Sequence, residues 1–295
     1  MDNSKFKGTG VALVTPFSDN GGVDYSSLGE IVQHVSKGGV NYLVVLGTTA
    51  ETPALSSEEK LKIIDKVKKV NSGKLPIIAG FGGNNTQELI SGIKTADFEG
   101  IDALLSVAPW YNKPTQEGIY QHFSRVAETS PVPVILYNVP GRTSSNISSE
   151  TCLRLAHNYP DKIIGIKEAS GDLKQIMEIL SDKPSSFHVI SGDDAITPVM
   201  IALGGSGVIS VIANAYPSEF SQMVNLALDN KPQEARKHHF PLLPIIDAMF
   251  AEGNPAGVKA FMKHRGLLRD NVRLPLVKVS KALDDKIKVL NESMK

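Results

Sequence analysis

Val132-Pro133-Val134-Ile135-Leu136-Tyr137 and Ile163-Ile164-Gly165-Ile166-Lys167 are two short, almost wholly apolar runs. They lie about 30 residues apart, the length of one strand-plus-helix unit. Six more runs keep the rhythm: Val11 to Thr15, Tyr42 to Leu46, Pro76 to Ala79, Ala103 to Val107, His188 to Ser191 and Val208 to Val211. None alternates apolar with polar, which suits parallel strands covered on both faces. Amphipathic stretches fill the gaps. Ser56-Ser57-Glu58-Glu59 reads as a capping box opening a helix, with Leu61, Ile64 and Val67 expected on its inner face. Asn85-Thr86-Gln87-Glu88 repeats the signal ahead of Leu89 and Ile93. Strand and helix alternating eight times predict a (β/α)8 TIM barrel over residues 1–230. An open doubly wound sheet is the competing architecture, and the lack of G-x-G-x-x-G after the first run weakens its dinucleotide-binding form. Residues 231–295 keep helical periodicity without a strand-like run, punctuated by Pro241, Pro244, Pro255 and Pro275. They are expected to form a C-terminal helical domain, too small for a core of its own and so resting on the barrel.

Bulk properties narrow the function. Of 295 residues, 41% are apolar and 21% charged, and the formal net charge is zero. Nothing in that balance points to nucleic acid or an acidic membrane surface, so an anionic ligand must be held by local groups. Cys152 is the single cysteine, which rules out an internal disulfide and a thiolate cluster. The opening residues carry no signal-peptide pattern, and no apolar run nears the ~20 residues needed to span a bilayer. A cytoplasmic setting is expected. The seven histidines include no H-E-x-x-H, and adjacent His238 and His239 face different sides of a helix. Neither metal nor cofactor is expected.

A barrel of this kind works at the C-terminal ends of its strands. Those ends read Thr15-Pro16-Phe17, Gly47-Thr48-Thr49-Ala50-Glu51, Ala108-Pro109-Trp110-Tyr111-Asn112, Tyr137 to Arg142, Lys167, and Ser191-Gly192-Asp193-Asp194. Lys167 is the most informative. It closes an apolar strand, and burial favours the neutral amine, the form that attacks a ketone. Strict period two puts it on one face with Gly165 and Ile163, with Gly165 leaving room beneath the lysine stem. A structural lysine that snorkels to solvent is the bland alternative. Tyr137, ending the preceding strand, is placed to relay protons. Thr48 and Thr49 offer hydroxyl and backbone donors to a small carboxylate, though an ordinary turn fits them equally. Arg142 is a candidate for a bidentate carboxylate pair. Gly204-Gly205-Ser206-Gly207 looks like a phosphate cradle, but it precedes the last strand instead of opening a helix and reads as tight packing.

Taken in order, Gly47 to Glu51, Ala108 to Pro114, Tyr137 to Thr143 and Gly165 to Asp172 resemble the dihydrodipicolinate synthase family, within the wider N-acetylneuraminate lyase superfamily. The resemblance spans essentially the whole chain. It implies condensation of pyruvate with L-aspartate 4-semialdehyde, on the route to diaminopimelate and lysine. It implies a Schiff base on Lys167, with Tyr137 as proton donor and acceptor. Thr48 and Tyr111 complete the relay, Tyr111 reaching the site of a neighbouring subunit. Thr49 and the Ile209 backbone hold pyruvate, Arg142 binds the semialdehyde carboxylate, and Gly192 lies in the mouth. A homo-oligomer, dimer or dimer of dimers, follows from the same resemblance. Ala50 and Trp110 depart from the family's usual glycine and tyrosine, and a left-handed Ala50 would be strained. The resemblance also implies a lysine-binding cleft near Thr52, Pro53, Ser57, Lys60, Asn84, Glu88 and Trp110. There the charge of Lys60 predicts weak feedback by L-lysine. A sugar-acid aldolase or N-acetylneuraminate lyase keeps the Schiff base and changes the aldehyde. A silent oxo-acid-binding barrel would need no Lys167.

Overall fold

In the computed structural model, which describes residues 4–294, eight parallel strands close into a barrel in sequence order. They are β1 (Gly8–Ala12), β2 (Tyr42–Val45), β3 (Ile77–Gly80), β4 (Ala103–Val107), β5 (Val134–Asn138), β6 (Ile163–Glu168), β7 (His188–Ser191) and β8 (Gly207–Ser210). The predicted barrel is therefore present, with β4 and β7 at the expected bounds. β1 begins and ends three residues earlier than expected. Its first residues, Gly8-Thr9-Gly10, carry no apolar signal because their neighbours forbid side chains. A Cβ on Gly10 would lie 2.1 Å from the Tyr42 ring, and one on Gly8 would lie 2.2 Å from Asn41 Oδ1. Thr15 and Phe17 thus follow the strand instead of ending it. Gly207, at φ +139, meets the backbone of Gly8 where the barrel closes, in keeping with the tight packing read from Gly204 to Gly207.

Helix starts follow the side-chain chemistry. Ser56 caps the helix Ser57–Asn71 with a reciprocal Glu59 bond, and Asn85 accepts from Gln87 and Glu88 at the head of Thr86–Thr95. The inner face of Ser57–Asn71 is rotated from the expected one. It buries Ile63 and Val67, while Leu61 is 59% exposed. The i, i+4 series Ile63-Val67-Asn71 defines the buried arc, and Leu61 lies off it.

β6 also departs from strict period two. Val134 pairs with Ile163, yet Ile135 pairs with Gly165, so Ile164 is an extra residue. Ile163 joins the apolar layer outside the barrel with Leu155 and Ile176, whereas Ile164 joins Ile135, Tyr137 and Ile209 inside. Lys167 therefore shares no face with Ile163. Gly165 makes room for β7, since its Cβ would stand 2.7 Å from His188 O.

Beyond residue 230 the helices Pro232–His239, Leu243–Phe250, Ala256–His264 and Lys281–Glu292 fold back over the barrel. Ile245, Met249, Val258, Phe261 and Ile287 share one apolar cluster with Val11, Leu28, Ile31 and Leu43. Tyr216 donates to Asn291 at 2.6 Å, fixing the last helix to the chain after β8.

Candidate active site

Parallel pairing sets the centre of the site. Tyr137 stands opposite Lys167 and Asn138 opposite Glu168 across β5 and β6. Side chains alternate, so the first pair faces the barrel interior and the second faces outward. Lys167 is 6% exposed, and its ammonium lies 4.4 Å from the centre of the Tyr137 ring. Among the described residues it makes no ion pair. The carboxylate of Glu168 is held on the other face by Asn138 Nδ2 (3.0 Å), Ser170 N (2.7 Å) and Gln175 Nε2 (3.2 Å). Burial pushes the Glu168 carboxyl up, with those hydrogen bonds opposing the shift. Gly192 presses on the lysine stem: a Cβ there would lie 3.1 Å from Lys167 Cε and 2.5 Å from Ala169 Cβ. Ile209, on β8, fills the same interior.

Above this centre lies a cavity of about 430 Å³, walled by Thr48, Tyr137, Arg142, Val107, Phe81 and Trp110. Tyr137 belongs to both levels. Arg142 sits on the short turn Pro140–Thr143, is exposed, and makes no ion pair among the described residues. With Thr48 and Asn254 it also walls a second cavity of about 260 Å³. Thr49 is buried, and its hydroxyl accepts from Asn254 Nδ2 at 3.0 Å. Tyr111 stands apart at 87% exposure and φ +76. Lys167, Tyr137, Gly192 and Ile209 are thus brought together, Thr48 and Arg142 join through the cavity, and Tyr111 does not.

Ala50 carries no strain. It lies in the 3-10 turn Thr48–Ala50, and the left-handed residue is the next one, Glu51, at φ +56. That conformation costs a non-glycine residue about 1–2 kcal/mol.

Several buried polar residues around the site escaped the sequence reading. Asp194 Oδ2 accepts from Val211 N (3.0 Å) and Ile212 N (2.9 Å), tying the end of β7 to the end of β8. Burial pushes its carboxyl up to about 6, against those bonds. Its place after Gly192 in a strand-end motif was the available signal. Asn254 and Lys259, in the C-terminal segment, had none.

A model of the Dihydrodipicolinate synthetase family matches residues 5–293. This chain belongs to the dihydrodipicolinate synthetase family. Among its family relatives is the 4-hydroxy-tetrahydrodipicolinate synthase of Flavobacterium psychrophilum, 55% identical over 289 residues that cover 98% of each chain. A dihydrodipicolinate synthase structure from Thermotoga maritima is 37% identical with a TM-score of 0.95, covering 98% of each chain. Another structure of the family, a chloride-inhibited enzyme from Acinetobacter baumannii complexed with pyruvate, is 38% identical with a TM-score of 0.93. It covers 97% of this chain and 98% of that one.

Proposed function

We propose that the chain condenses pyruvate with L-aspartate 4-semialdehyde to give 4-hydroxy-tetrahydrodipicolinate, through a Schiff base on Lys167. The observation that carries this reading is a buried, unpaired lysine against a tyrosine ring at the mouth of a barrel. The neutral amine adds to the pyruvate carbonyl, Tyr137 gives its proton to the departing hydroxyl, and water leaves, giving a protonated imine beside the Tyr137 phenolate. That cation draws electrons from the pyruvate methyl, which loses a proton to Tyr137. The resulting enamine carbon attacks the aldehyde carbon, and Tyr137 returns the proton to the new hydroxyl. The amine of the semialdehyde portion then attacks the imine carbon, closes the ring and displaces Lys167.

Thr49 and the Ile209 backbone are assigned to the pyruvate carboxylate, Gly192 to the wall beside the imine, and Arg142 to the carboxylate of the semialdehyde. Thr48 lines the cavity with Tyr137, which supports its place in the proton relay. Tyr111 would complete that relay from a second copy. Its exposure and left-handed backbone support this assignment, because strain at such a residue is usual where a binding partner is met. We assign a homo-oligomer on that ground, a dimer or a dimer of dimers, working in the cytoplasm. No described helix is long and apolar enough to cross a membrane, and Cys152 is a buried free thiol.

The test is reductive trapping. Pyruvate with borohydride should add one reduced pyruvate, mapped by peptide mass to Lys167. Turnover of pyruvate and semialdehyde without an adduct at Lys167 would rule the mechanism out. A parallel assay with N-acetylmannosamine separates this acceptor assignment from a sugar-acid aldolase.

A further inference from the structure

The turn that carries Thr48 and Thr49 ends on a residue with no reason of its own to be left-handed. Glu51 has a Cβ, is buried, and sits at φ +56, ψ 36. Its amide bonds back to Thr48 O at 3.1 Å, so its backbone sets the shape of the turn. A left-handed residue other than glycine persists where its surroundings over-determine it. Here the partners of its side chain are both C-terminal. One carboxylate oxygen accepts from Lys259 Nζ at 2.5 Å and the other from the backbone N–H of Arg273 at 2.9 Å. Lys259 is fully buried, also donates to Asn271 O at 2.8 Å, and lies 4.3 Å from the centre of the Phe17 ring. Arg273 is in turn fixed by Glu59 and by the carbonyls of Gly21 and Ala54. A second strut from the same segment is the Asn254 bond to the Thr49 hydroxyl.

We propose that Glu51 and Lys259 are positioning residues: their buried ion pair holds the Thr48–Ala50 turn in the shape that receives the pyruvate carboxylate. The C-terminal segment thereby sets pyruvate affinity without touching pyruvate. This rests on the assignment of Thr49 to that carboxylate. A pair that served stability alone would leave substrate affinity unmoved, since a buried ion pair is often replaceable by neutral groups of similar volume. The two roles therefore predict different kinetics.

The test uses the full chain, comparing Lys259→Met, Glu51→Gln and the double variant Glu51→Gln/Lys259→Met. Pyruvate KM and kcat, thermal melting, and borohydride trapping are read for each. Loss of a charge-assisted bond should raise pyruvate KM about tenfold in Lys259→Met and about threefold in Glu51→Gln, with kcat at saturating pyruvate little changed. The double variant should regain the melting temperature and keep the raised KM. Recovery of both in the double variant, or a folded Lys259→Met with wild-type KM, overturns the proposal. Should Lys259→Met fail to fold, an unchanged KM in Glu51→Gln overturns it. Wild-type enzyme that turns over without trapping pyruvate overturns the Schiff-base reading and this proposal together. Normal trapping with unchanged KM overturns this proposal alone.

Discussion

Among the described residues two lysines are buried, each with its ammonium over an aromatic ring: Lys167 at 4.4 Å from Tyr137 and Lys259 at 4.3 Å from Phe17. Their surroundings differ in one respect. Lys259 meets the Glu51 carboxylate and the Asn271 carbonyl. Lys167 meets no acid, because the neighbouring carboxylate of Glu168 is turned outward and fully engaged by Asn138, Ser170 and Gln175. Burial pushes the Lys259 ammonium down to about 8, and Glu51 acts against that shift. A carboxylate at contact distance favours the charged, unreactive form of an amine. The contrast lies in the partners: one buried ammonium is held by a carboxylate, and the other, the proposed nucleophile, is not.

Exchanging the roles of these lysines gives the largest expected effects. Lys167→Met should abolish turnover by at least about a thousandfold, as expected for removal of a covalent nucleophile. Its folding stability should change by no more than about 1 kcal/mol, since the lost cation had no ionic partner. Lys259→Met should do the reverse, destabilising by roughly 3–5 kcal/mol as Glu51 is left buried without its cation. Urea unfolding read beside initial rates checks both, and equal stability losses in the two variants would break the comparison.

Arg142 extends it to an exposed cation. Arg142→Ala should lower kcat/KM for the semialdehyde by roughly 1–2 kcal/mol, or about five- to thirtyfold. Solvent at its exposed site screens the pair below the values seen in buried interfaces. Trapping of pyruvate on Lys167 should persist. Semialdehyde kinetics that match wild type would remove Arg142 from the acceptor site.

Asp194 supplies a buried acid for contrast. Its folded carboxyl titrates near 6, above its ordinary 3.8, so the folded state holds the proton over that window while the unfolded chain releases it. Its contribution to stability therefore falls as pH rises from about 3.8 to 6. Relative to Asp194→Asn, wild type should lose roughly 1–3 kcal/mol across that range. Unfolding at pH 4 and pH 7 measures the difference, and parallel pH curves for the two proteins would refute it.

The smallest effect concerns Lys60, half-buried in the wall of the 430 Å³ cavity with Thr52, Pro53 and Trp110. Its charge should repel an ammonium ligand, so L-lysine should inhibit weakly at subsaturating pyruvate. Strong inhibition at submillimolar concentration would show that Lys60 swings clear.

The sequence reveals Lys167 and hides Lys259 for a physical reason. Lys167 ends an apolar run whose eightfold rhythm locates the barrel mouth, so its burial follows from the pattern. Lys259 sits in the helix Ala256–His264, where every residue from Ala256 to Met262 is buried. The reading of a helix assumes a wet face, and here tertiary contacts cover both. The early start of β1 was hidden in the same way, because its glycines answer to Tyr42 and Asn41 across the sheet. Tyr137 was legible from its strand end, Gly192 was quoted in a strand-end motif, and Ile209 came only through the family resemblance. Glu51 was quoted within its motif, yet its left-handed backbone depends on groups some 200 positions away in the chain.

Ile164 shows how discrete this chemistry is. It stands in β6 without an opposite number in β5, and every residue after it is displaced by one step against Ile163. In an unbroken ladder started from the Val134–Ile163 pair, Ile166 would fall opposite Tyr137 and Lys167 opposite Asn138. The amine would then emerge among the outer helices, within reach of Glu168's hydrogen-bonding partners, and an isoleucine would stand opposite Tyr137 inside the barrel. No residue would have changed identity. Whether the barrel interior holds an amine or an aliphatic plug opposite Tyr137 depends on whether a strand counts odd or even.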